Sequence, residues 1–110
     1  MAERNSNAKH LACPAEFTAD LLGGRWKVVL LWYLFKGVQR FSDLQRAVPG
    51  ITQKVLTHQL RDMEKSGLLK RTVYAEVPPK VEYEITALGL TLKPVVDAMH
   101  HWGAEHASKQ

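Results

Sequence analysis

Between Thr52 and Arg61 the chain carries Gln53, Lys54, Thr57 and His58, and no acidic residue occurs in the interval. Amide and guanidinium groups can read the edges of bases while a lysine neutralises phosphate, so the set suits a polyanionic partner. Taken alone, the same residues would also describe the solvated face of an ordinary helix. The elements around them decide between the two.

These side chains fall on the outside of a helix. Thr52 offers a hydroxyl to a first-turn N–H, and Val55, Leu56, Leu60 and Met63 recur at helical spacing as a buried stripe. Gly67 ends the helix in a left-handed conformation, with Leu68 placed to fold back onto Met63. Before it, the pattern predicts a shorter helix beginning at Ser42, with Gln45 completing a capping box and Leu44 facing the core; Val48, Pro49 and Gly50 close it. After it, Leu69 to Ala75 reads as a strand, and Val81 to Ile85 alternates as a half-buried second strand should. Val77, Pro78, Pro79 and Lys80 lie between, where prolines mark a hairpin tip because they cannot donate to a ladder. Lys80 would project a cation where a DNA backbone passes, and Arg40 and Arg71 are further candidate phosphate contacts. Ser42 and Thr52, at the openings of the two helices, complete the candidate set.

Helix, turn, helix and a two-stranded wing is an order that lays one helix in the major groove. The expected fold class is α+β, mostly helical, a winged helix-turn-helix with terminal helices forming a dimer interface. The dimer follows from surplus apolar surface. From Arg25 to Lys36, Trp26, Val29, Leu30, Tyr33 and Leu34 make one stripe while Val28, Leu31, Trp32 and Phe35 cover much of the rest. The helix opened by Thr86 repeats this with Leu88, Leu92, Val95, Val96, Met99 and Trp102, and Pro94 should kink or split it. A well-filled monomer core is the plainer account of the same residues.

The chain of 110 residues, 45% apolar and 24% charged, is expected to form one domain with a core over about 11–103 and loose ends at 1–10 and 104–110. A formal charge of +4 modestly favours an acidic partner. No apolar run approaches the ~20 residues of a bilayer crossing and no signal peptide is evident, so a cytoplasmic location is expected. No phosphate loop or nucleophile elbow is present, which argues against an enzyme, and no cofactor is implied. His101 and Glu105 stand four apart near His100 and His106, but Gly103 should end the helix and take them out of register, so no metal site is expected.

Cys13 is the only cysteine, which excludes an intrachain disulfide. Pro14 prefers the first helical position, making Cys13 the N-cap, where the helix dipole favours an anion. A thiol there could react with an oxidant or electrophile; a small buried hydrophobe is the alternative. A thiol enzyme would need a resolving cysteine or a positioned base that the sequence does not supply.

Cys13-Pro14, Leu22-Gly23-Gly24-Arg25-Trp26, Arg40-Phe41-Ser42-Asp43-Leu44, Pro49 through Leu56, Glu76 through Tyr83, and Thr86-Ala87-Leu88-Gly89 succeed one another in a way that resembles the HxlR family of winged helix-turn-helix regulators. The resemblance spans about residues 11–103. It implies a homodimer built from the first and last helices on a roughly palindromic operator, acting as repressor or activator. It also implies that Gln53, Lys54, Thr57, His58 and Arg61 belong to the recognition helix and that Lys80 stands on the wing. In some family members a cysteine at the place of Cys13 senses oxidants or quinone-like electrophiles; others respond to metabolites or aldehydes. A winged-helix interaction module without DNA binding is the alternative outside regulation.

Overall fold

The computed structural model describes residues 13–109, and short local signals explain most of its elements. Pro14 opens α1 (Pro14–Leu21), where its missing N–H costs no helical bond, and Cys13 is the extended N-cap. No residue of α1 is buried. α2 (Trp26–Leu34) lies at the centre, with Leu30, Leu31 and Leu34 wholly enclosed and Lys27 buried beside them.

A two-residue strand, β1 (Gln39–Arg40), leads directly into α3 (Phe41–Ala47). The sequence places the start of α3 at Ser42 with a Ser42–Gln45 box. Instead Arg40 is the N-cap, and its N–H donates to Asp43 Oδ2 at 3.1 Å. Pairing of Arg40 with Glu82 across the sheet holds Arg40 extended, so the helix begins at the very next residue. After the turn at Pro49 and Gly50 comes α4 (Gln53–Lys65), with Leu56, Leu60 and Met63 buried. Thr52 Oγ1 accepts from the Val55 N–H at 3.1 Å, as its position suggests. At the other end Leu68 N–H reaches Met63 O and Gly67 N–H reaches Glu64 O, both at 3.0 Å, while Gly67 takes φ +80°. A side chain there would be strained, which is why glycine ends the helix.

β2 (Leu69–Tyr74) and β3 (Lys80–Ile85) pair antiparallel, Leu69 opposite Ile85 and Tyr74 opposite Lys80. The wing expected as two strands is a three-stranded sheet in the order β1-β3-β2. β1 escapes sequence reading because two residues cannot show an alternation.

The last helical stretch splits as Pro94 requires. α5 (Ala87–Leu90) ends before α6 (Lys93–His106), and Pro94 falls in the first turn of α6, where no N–H is missed. Thr86 caps α5 by accepting from Gly89 N–H at 3.0 Å and donates to Gly67 O at 2.6 Å. Gly103 does not end α6, which runs through His106 into a 3₁₀ turn at Ala107–Lys109. Residues 104–109, part of the expected loose end at 104–110, lie in α6 and the 3₁₀ turn, whereas the expected loose residues 1–10 lie outside the described ones. Nor does α2 hold the surplus apolar surface: Val28, Val29, Trp32, Tyr33 and Phe35 pack against the chain's own core. The exposed apolar residues of the helices are Phe17 on α1, Leu88 and Leu90 on α5, and Val95, Met99 and Trp102 along α6.

Candidate nucleic-acid interface

With Leu56, Leu60 and Met63 turned inward, helical geometry dictates what α4 presents outward. Gln53, Lys54, Thr57, His58 and Arg61 line one open groove on its outer face. Gln53, Thr57 and Arg61 also border a cleft of about 340 Å³ between α4 and the sheet, whose far wall holds Arg71 and Tyr83. Six of the residues singled out in the sequence thus meet in one place. Arg71 joins the outer face of α4, because its position on β2, opposite Tyr83, puts it in the wall of this cleft.

Arg40, Ser42 and Lys80 form a second group with Pro78, Pro79 and Glu76 around a neighbouring depression. Phe41 and Val81 line both concavities, so the two are contiguous. Thr52 stands exposed at the opening of α4 with its hydroxyl oxygen engaged by the cap. Lys80 is not the free projecting cation that the hairpin pattern suggests. Its side chain is only 25% exposed, and its Nζ lies 3.8 Å from Glu82 Oε2 and 4.4 Å from the centre of the Tyr74 ring. The apex of the wing is the fully exposed Val77. Tyr74 is held in its neutral form above the ordinary phenol range, first by its hydrogen bond to the Glu82 carboxylate and then by that carboxylate's charge.

Two carboxylates also border these concavities, neither of them among the candidate residues of the sequence. Glu64 borders the cleft with Arg61 and Arg71, and Glu76 borders the depression at the wing. Glu64 is three positions beyond Arg61, which puts both on one stripe of α4, so the helical wheel extended by one turn would have found it. Cys13 is exposed at the N-cap of α1, not enclosed as a small hydrophobe. Because α6 continues past Gly103, His101 Nε2 and Glu105 Oε1 remain in register, 2.9 Å apart, while His100 stacks on Trp32 and His106 on Trp102. Among the described residues no three ligand-bearing side chains cluster as a metal site would need. No helix among them is long and apolar enough to cross a membrane.

A family model for the HxlR-like helix-turn-helix matches residues 21–110. The HTH-type transcriptional regulator YybR of Bacillus subtilis is 50% identical over 91 residues, which cover 83% of this chain and 73% of that protein. The redox regulator HypR in its reduced form is similar in structure, with a TM-score of 0.82 at 46% identity over 86% of this chain and 94% of that one. The reduced form of the transcriptional regulator YodB from B. subtilis has a TM-score of 0.74 at 32% identity, over 91% and 99% of the two chains.

Proposed function

Because this chain belongs to the HxlR-like helix-turn-helix family and is a transcriptional regulator, we propose that it works as a homodimer that binds duplex DNA in a sequence-specific way. The observation that carries this reading is the convergence of Gln53, Lys54, Thr57, His58 and Arg61 on one open face, with Arg71 across the adjoining cleft. In this reading α4 enters the major groove, with Gln53, Thr57 and Arg61 toward base edges and Lys54 and His58 toward phosphates. Arg40 and Ser42 serve the flanking backbone from the wing side, with Lys80 released from Glu82 on contact. An interaction module without DNA binding has no use for so many cationic and amide groups on an uncovered helix.

The dimer reading is supported by the stripe Val95, Met99 and Trp102 along α6 and by the exposed Phe17 on a helix that packs on its own core only through the half-buried Leu21. A second layer of regulation is supported by the exposure of Cys13 and by the likeness to a redox regulator. Oxidation or alkylation of Cys13 would act on the helix that the partner protomer covers. The alternative signal is a small metabolite bound without a covalent bond.

Selection of duplexes from a random pool by the full chain tests the main reading. An inverted repeat with half-site centres about 10 base pairs apart, or a multiple of that, is the expected product. Failure to enrich any sequence would leave the interaction module.

A further inference from the structure

Lys27 is the one charged side chain buried among the described residues, 5% exposed in the first turn of α2. Its ammonium is paired with the carboxylate of Asp62 on α4. Stability is a poor account of such a pair, since replacing a buried ion pair with apolar residues of similar volume is often neutral or stabilising. What it adds over an apolar contact is direction. The aliphatic stripe Leu56, Leu60 and Met63 fixes which face of α4 is buried, but non-directional dispersion contacts set the fine rotation of the helix less sharply than a paired charge does.

The position of Asp62 suits that task. At about 100° per residue, Asp62 stands roughly opposite Gln53 around α4 and about 100° from Arg61. On the Gln53 side a cleft lies between α4 and the sheet, so the side chains there do not hold the helix closely. On the other side Lys27 does. α2 is tied in turn to α6 by the stacked rings of Trp32 and His100, 3.8 Å apart. A polar link therefore joins the helix that reads to the layer that carries the exposed stripe of α6.

We infer that Lys27 and Asp62 are positioning residues for base reading: they set the rotation of α4, and with it the aim of Gln53, Thr57 and Arg61. The inference rests on the DNA-reading function proposed above. Its test begins by selecting an operator with the wild-type chain, and failure at that step would remove both readings together.

With the operator in hand, Lys27→Met/Asp62→Leu, close in volume and without charge, is compared with wild type for melting, for affinity on the operator and on a random duplex, and for salt dependence. Melting, random-duplex affinity and salt slope should match wild type, while operator affinity falls about tenfold or more, the loss of one well-aimed base contact. Lys27→Arg keeps the charge but changes the head group; it should fold and lose part of the operator preference, and it decides the matter if the double variant does not fold. An unchanged ratio of operator to random affinity in the folded variants overturns the inference. So does an equal loss on both duplexes that follows a lowered melting temperature, which would mark the pair as structural only.

Discussion

Arg61 borders both the outer groove of α4 and the cleft beneath the sheet, as do Gln53 and Thr57, so these three have the widest access to a base edge. Arg61→Ala should cost ~1–3 kcal/mol on the selected operator and much less on random DNA if it grips a base. Titrating both duplexes checks this, and equal losses would make Arg61 a phosphate contact. Lys80 belongs to a different class, because Glu82 and the Tyr74 ring hold its ammonium in the free protein. Contact with phosphate must break that pairing, which lowers the net gain. Lys80→Ala should weaken binding about evenly across sequences and reduce the salt slope by at most roughly 0.9 per protomer. Glu82→Gln should strengthen binding to any duplex, for the same reason with the opposite sign. If neither variant alters binding or salt slope, the wing does not touch DNA.

At the level of elements, α5 is seated on the turn that ends α4. A Cβ on Gly89 would lie 2.5 Å from Leu68 O and 2.7 Å from the Ile85 side chain. Gly89→Ala should therefore destabilise the fold by about 1–3 kcal/mol, as overpacking does, with the denaturant midpoint as the measure. A variant as stable as wild type would show that α5 can lift away at no cost. How much of this was legible in the sequence depended on where each signal resides. Thr52, Gly67, Pro94 and the alternation in Val81–Ile85 are local, and each marked its boundary or strand correctly. β1 and the true start of α3 depend on pairing between Arg40 and Glu82, far apart in the chain, so no local pattern reveals them. Gly103 misled because glycine is permissive as well as terminating: it sits inside α6 with nothing within 4 Å of where a Cβ would be. Within the site, helical spacing foretold the outer face of α4. The pairing of Lys80 with Glu82, the two flanking carboxylates and the buried Lys27 needed the three-dimensional arrangement.

At the scale of the whole molecule, the proposed dimer and the proposed sensing converge on α1 and α6. An eight-residue helix is marginal in water without packing, yet α1 buries none of its residues and leaves Phe17 45% exposed. Met99→Glu with Trp102→Glu places two charges in the exposed stripe of α6, and equilibrium sedimentation should then report a monomer. Operator affinity should fall with it, because the second half-site loses the effective concentration that linkage supplies. A wild-type chain that is already monomeric at micromolar concentration would defeat this reading. Cys13 stands at the start of the same helix. As the only cysteine in the chain, it can form a disulfide only with a second molecule: two thiols give up two electrons and two protons, which diamide takes up in becoming a hydrazine. A bridge or adduct at Cys13 would load the interface that sets the distance between the two α4 helices, and both helices must enter successive major grooves at once. Diamide should accordingly change operator affinity at least tenfold, about 1.4 kcal/mol, in wild type and leave Cys13→Ser unaffected. An equal response from Cys13→Ser, or a folded dimer whose Cys13 ignores a thiol reagent, would assign the residue to packing and move the signal to a ligand bound without covalent chemistry.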